Sequence, residues 1–386
     1  MRLATAPVST APAGHRQPRP APASCATRHW APSQRVRLTA QWRQQPRRGS
    51  GRVWAEADSG SPASSEAAAA SPAPAAPQLS PAEAKQKLAE LDKLLASDGP
   101  HVEAQAASLA ATLHEQGALR AFGAANQVPK RAYTLQELRL NKIQPEQFLA
   151  PKDTTLSGVR NVVQGSYLAG LTAAYFGQLL DLSQIVQVVI LTAFLLTVDQ
   201  VANAGGFEAL LVDTAGRVVS GTYGRRVALH EAGHFLIAYL LGLLPRGYTL
   251  SSLDLFIRKR QLNVQAGCQF CDSAFQAEVA SGKLTSSSLD TYSCVALAGV
   301  ATEWLRFGHA EGGLADVQQL DRLLQALRFT QAKADAQVRW SVLNVVTLLR
   351  RHEATHDALA DAMSRGASVG ECIAVIEQRL AGSSDI

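Results

Sequence analysis

Nowhere in its 386 residues does the chain carry the GxxxxGK[ST] loop that cradles nucleotide phosphates, so the sequence gives no support for ATP binding. The nearest approach, Gly282-Lys283, is followed by Leu284 and has Ala277 where the leading glycine should stand. Cysteine is scarce, with five residues at 25, 268, 271, 294 and 372, which excludes a disulfide framework. Cys268-Gln269-Phe270-Cys271 is a CxxC, but no second CxxC completes a structural zinc site, so these read as ordinary thiols. Charged residues make up only 18% and aromatics 6%, yet 47% are hydrophobic. That balance excludes a polar disordered polymer and suits a chain long enough for two or three domains.

Acids and lysines are missing from residues 1–55, which hold ten arginines; the first acid is Glu56. The same stretch lacks the apolar run of about 7–15 residues that a secretory signal requires. It reads as an organellar transit peptide, and its Pro, Ser and Ala content favours the chloroplast over the mitochondrion. Setting it aside leaves 27 basic against 32 acidic residues. The pI near 9.0 thus belongs to the leader, and a nucleic-acid role loses its main support.

Residues 56–79, rich in Ala, Ser and Pro, read as a disordered linker. Ser80-Pro81-Ala82-Glu83 then forms a capping box, and Leu88, Leu91, Leu94 and Leu95 follow at helical spacing. A second helix is predicted over 101–116 and a third from the capping box Thr134-Leu135-Gln136-Glu137. Residues 80–158 thus read as a helical N-terminal region without chemistry of its own, a small docking region. No charge occurs over 161–180 or 182–198, with Asp181 alone between the runs. The hydrophobic segment 159–206 is predicted as two helices, either a core hairpin or a membrane-spanning element. Helices are predicted near 225–242, 286–307, 314–328, 331–351, 354–364 and 368–381. Tyr248-Thr249-Leu250 and Leu255-Phe256-Ile257 carry a modest strand signal.

Val227-Ala228-Leu229-His230-Glu231-Ala232-Gly233-His234-Phe235-Leu236 carries the chemistry. On a helix, positions i and i+4 share one face, so His230 and His234 can both present an imidazole nitrogen to one Zn²⁺. Glu231, beside the first ligand, suits a general base that takes a proton from attacking water. A pair of histidines in an otherwise apolar helix is costly without partners. A third protein ligand is required. The metzincin continuation needs Gly and His where this chain has Ile237 and Leu240, so that class is excluded. Asp254 and Asp316 are the candidates, and spacing alone does not choose between them.

The segment Val227–Leu240 resembles the zinc helix of FtsH-type ATP-dependent zinc metalloproteases, whose hallmark is HEAGH. Ala296-Leu297-Ala298-Gly299-Val300-Ala301-Thr302-Glu303 with Phe307-Gly308 is similar to that family's LAGRAAEE…FG. Gly312-Gly313-Leu314-Ala315-Asp316-Val317 is similar to its TGAxxDL, whose Asp is the third ligand. The likeness covers about residues 225–386 and is nearest to plastid FtsH-like proteins that lack the ATPase domain. It departs at Glu303-Trp304, where the family has two acids, and over 251–285. The resemblance implies a mainly α fold: a helical peptidase domain with a small β element over 207–386, preceded by the helical region and the hydrophobic hairpin. It implies His230, His234 and Asp316 as zinc ligands and Glu231 as general base of a metalloendopeptidase. Its expected substrates are unfolded or membrane proteins, with an ATPase-bearing FtsH-type partner and membrane association, in the thylakoid membrane or the stroma. The alternative is a non-proteolytic zinc-binding partner or assembly factor of a plastid protease complex.

Overall fold

The computed structural model describes residues 80–386 apart from positions 98, 100, 149–150, 152–153, 204 and 260–266. The expected transit peptide and linker lie outside the described residues. Ser80 and Thr134 each accept the backbone N–H three residues on, while Glu83 and Glu137 reach back to the cap N–H. These capping boxes open α1 (Pro81–Leu95) and α3 (Leu135–Leu140), on either side of α2 (Val102–Glu115). After α4 (Pro145–Phe148) come the long helices α5 (Thr154–Phe176) and α6 (Leu182–Ala202), the latter capped by Asp181. Then follow α7 (Gly206–Val219), α8 (Tyr223–Leu240), β1 (Pro245–Thr249), α9 (Ser252–Lys259), β2 (Gly267–Phe270) and α10 (Ser273–Ser281). The chain closes with α11 (Ser286–Phe307), α12 (Leu314–Ala326), α13 (Gln331–Arg351), α14 (Glu353–Ser364) and α15 (Val369–Leu380).

The fold is therefore mainly α with a small β element. The strands pair antiparallel, Tyr248 opposite Cys268, with an irregular register between Pro245 and Gly247. The strand expectation holds at Tyr248-Thr249 and fails at Leu255-Phe256-Ile257, which lie within α9. That segment packs against α7. A short apolar run cannot be assigned to strand or helix from its pattern alone, and here a neighbouring helix decides it.

Helix α8 is the axis of the core, buried without interruption from Ala228 to Leu240. Ile237 and Ala238 share one cluster with Leu297 and Val300 of α11 and Val345 and Val346 of α13. Phe235, Leu236 and Tyr239 face a second cluster with Leu359, Met363, Ile373 and Ile376. Each such side chain contributes about 1.5–3 kcal/mol on burial. Leu91, Leu113 and Leu119 belong to the second cluster too. Residues 80–148 are thus built into the core around α8. Polar contacts reinforce the seam: Glu377 accepts Arg120 N–H at 2.9 Å, Ala121 N–H at 3.0 Å and the Tyr239 hydroxyl at 2.6 Å. Trp340 Nε1 donates to Val128 O at 3.1 Å. The helix ends before Gly242, whose φ of 81° lies in the left-handed region that favours glycine.

Candidate metal centre

One helical turn places His230 and His234 on the same face of α8, and both rings lie against α11. Two close approaches permit this. A Cβ on Gly299 would stand 2.2 Å from His230 Nε2, and one on Gly233 would stand 2.2 Å from Thr302 Oγ1. Glycine at both positions is what lets α8 and α11 come this near.

Each ring is fixed through its Nδ1. His230 donates to Glu303 Oε1 at 2.7 Å, and His234 donates to the Val295 carbonyl at 2.8 Å. Neither acceptor has a proton to return. In the neutral rings both Nε2 atoms therefore carry a lone pair, and these two atoms lie 3.1 Å apart. Asp316 Oδ2 stands 3.5 Å from each of them. Asp316 occupies the first turn of α12, behind Gly313 at φ 81°, where the helix dipole favours a carboxylate. With both rings neutral, three acceptor atoms thus face one point.

This donor set fits a divalent cation. Tetrahedral ligands about 2.0–2.1 Å from Zn²⁺ stand about 3.3–3.4 Å from one another, close to the separations found here. Among the described residues, His230, His234 and Asp316 form the group of His, Cys or acidic side chains able to share an ion. Two nitrogens and one oxygen suit zinc. Asp254, the rival third ligand, lies exposed on α9 and outside this group. Cys268 and Cys271 are also outside it and remain free thiols.

The titration behaviour points the same way. Burial opposes the imidazolium of His230, but Asp316 and Glu303 outweigh it and raise the group to about 10. Burial would raise Asp316, yet the two histidines beside it hold it well below the usual carboxylate range. Glu303 is likewise drawn down to about 2 against its burial, chiefly by His230. The site attracts positive charge, whether as a proton or as an ion.

Glu303 is the residue of the candidate site whose place the sequence does not reveal. Besides His230 it pairs with Arg226 at 3.0 Å and accepts the N–H groups of Glu311 and Gly312 at 2.8 and 3.2 Å. It therefore ties α8, α11 and the loop before α12 into one frame. The only sequence signal is an acid in α11 one turn beyond Gly299, within an apolar stretch.

Glu231 is buried at 6% exposure, and its Oε2 has no hydrogen-bond partner among the described residues. An orphaned buried carboxylate oxygen is costly. Its backbone carbonyl accepts the Cys268 thiol at 3.3 Å, which ties the helix to β2. His230, Glu231, His234 and Asp316 all line one open cleft of about 1360 Å³. Phe275 and Tyr292, stacked at 4.8 Å and 7°, line another part of its wall. No protein-family model, curated protein or solved structure matches the chain.

Proposed function

We propose that the chain is a zinc metalloendopeptidase, with the FtsH-like peptidase helix its sequence resembles. The observation that carries this reading is the pairing of a complete two-His, one-Asp donor set with the partnerless Oε2 of Glu231 in the same cleft. His230, His234 and Asp316 would hold the ion. A zinc ion there supplies a Lewis acid that polarises a peptide carbonyl and makes water more acidic.

The chain's own residues do the rest. Glu303 and the Val295 carbonyl hold the two imidazoles in one tautomer, so both Nε2 lone pairs would be available to an ion. Glu231 Oε2 takes the proton of the attacking water and returns it to the amide nitrogen as the C–N bond breaks. The products are one carboxylate and one protonated amine, both protons of the water ending on the amine nitrogen and none on the protein. The cleft is open, with a volume of about 1360 Å³, which suits an unfolded polypeptide substrate. The basic leader favours an organelle, the chloroplast first.

Glu231→Gln tests the reading. Zinc content should persist while hydrolysis of casein falls about 10²–10⁴-fold, the usual share of a general base. A wild-type chain that holds zinc and cleaves no unfolded protein would instead favour a zinc-binding partner of a protease. The missing phosphate loop is the feature on that side.

A further inference from the structure

We propose that the stacked rings of Phe275 and Tyr292 are the wall of a subsite that receives an aromatic side chain of the polypeptide beside the bond to be cut. This rests on the hydrolase reading and adds to it the kind of residue the cleft selects.

Tyr292 belongs to the side of α11 that meets the candidate centre. Positions 292, 295, 299 and 303 fall three or four apart and so share one side of the helix. The Val295 carbonyl accepts the His234 Nδ1–H, a Cβ on Gly299 would meet the His230 ring, and Glu303 accepts from His230. Tyr292 is the next position on that side, about 4.5 Å along the axis from Val295 at 1.5 Å per residue. From α12, the charge of Asp316 acts on the Tyr292 hydroxyl, and Gln319, one turn beyond Asp316, lies beside it. The ring therefore stands next to the support of one candidate ligand and next to another candidate ligand itself. A residue flanking the bond under attack would lie there.

Phe275 brings the second ring. Helix α10 buries none of its 9 residues, so it is not a core element. It nonetheless lays Phe275 against Tyr292, with centroids 4.8 Å apart and 7° between the planes, and both rings line the cleft. Both are half-buried rather than covered. Rings left open at a wall offer an apolar surface that a further ring can meet offset or edge-on. Ala274, beside Phe275, and Ala296, one turn beyond Tyr292, line the same cleft and take little room, which leaves space for a bulky group. The Tyr292 phenol is pushed up to about 12, by burial first and then by Asp316 and Asp272. It stays neutral at pH 7, so the pair offers no charge of its own. Phe275 falls within 251–285, where the chain departs from the FtsH-type pattern, so this wall is the chain's own feature.

The test uses the full chain loaded with zinc, and labelled unstructured peptides that differ only in one central Phe, Ala or Lys. Cleavage is read on the wild type, and binding by fluorescence anisotropy on Glu231→Gln. The Phe peptide should be cut about tenfold faster than the Ala peptide, a ratio within reach of one apolar pocket, and mass spectrometry should place the cut next to Phe. It should also bind more tightly. Phe275→Ala should bring the Phe-to-Ala ratio of rates close to one. Ala296→Phe, which fills the space, should reverse the ratio, and Tyr292→Phe, which keeps the ring, should preserve it. Equal loss on both peptides in Phe275→Ala, with the ratio intact, would mean that the stack only holds α10 in place, and overturns the proposal. A wild type that cuts all three peptides alike, or prefers Lys, also overturns it. If Ala296→Phe does not fold, Phe275→Ala decides. Failure of the hydrolase reading looks different: neither peptide nor casein is cut. The binding ratio in Glu231→Gln then judges the subsite by itself, and equal affinity for the Phe and Ala peptides overturns it.

Discussion

The Nδ1–H of His230 donates to Glu303 Oε1 at 2.7 Å, and the same carboxylate is held by Arg226 and by two backbone N–H groups ahead of Asp316. One side chain therefore holds the tautomer of one candidate ligand, His230, and the loop that leads to another, Asp316. Glu303→Ala should weaken zinc binding about 10–100-fold, read by competition with a chromophoric chelator. Glu303→Gln keeps an acceptor oxygen and should lose less. Equal affinity in wild type and Glu303→Ala would remove Glu303 from the site.

Zinc binding at the proposed site should displace a proton. His230 is raised to about 10 by Asp316 and Glu303 against its burial, so in the ion-free protein at pH 7 it is charged. Binding requires the neutral ring and should release about one proton per ion. Apparent affinity should accordingly rise about tenfold per pH unit until the pH passes the raised value. Titration calorimetry in buffers of different ionisation enthalpy counts the proton, and no buffer dependence at pH 7 would contradict the assignment.

Acid should destabilise the fold through a different histidine. Burial lowers His356 to about 4, against 6.5 when free, although its Nε2–H donates to the Leu229 carbonyl at 2.9 Å. Above pH 6.5 the ring is neutral in both states and pH has no effect through it. Between 6.5 and 4 the unfolded chain binds a proton that the folded chain refuses. Stability should fall by about 1.4 kcal/mol per unit across that window. Urea midpoints measured against pH should flatten there in His356→Gln, and an unchanged slope would exclude this residue.

Gly299→Ala should strike the site without replacing a candidate ligand. Its new methyl would collide with the His230 ring, so the ring or α11 must move. Overpacking of this kind costs about 1–3 kcal/mol, and zinc affinity should fall together with Tm. An unchanged zinc affinity would mean that the ring has room the geometry does not show.

The parts of this molecule written locally were readable in advance. His230, Glu231 and His234 lie within one turn and a half, and a helical period alone sets their faces. The capping boxes at Ser80 and Thr134 needed only four residues each. Asp316 was different. It lies 82 residues beyond His234, and only the resemblance preferred it to Asp254. The packing of α9 on α7 removes Asp254 and also turns Leu255-Phe256-Ile257 from an expected strand into helix. In the sequence Glu303 is one letter of a motif, and its bond to His230 spans 73 positions, a distance at which no periodic pattern operates. The place of residues 80–148 in the core was hidden for the same reason: Glu377 meets Arg120 across 257 positions.

The account stands on three side chains sharing one divalent ion. Metal analysis of the purified full chain, beside His234→Ala and Asp316→Ala, tests this most directly. The wild type should carry about one zinc per chain, and each variant should lose it while keeping its helical circular dichroism. A wild type free of zinc after purification without chelators, or full occupancy in Asp316→Ala, would contradict it.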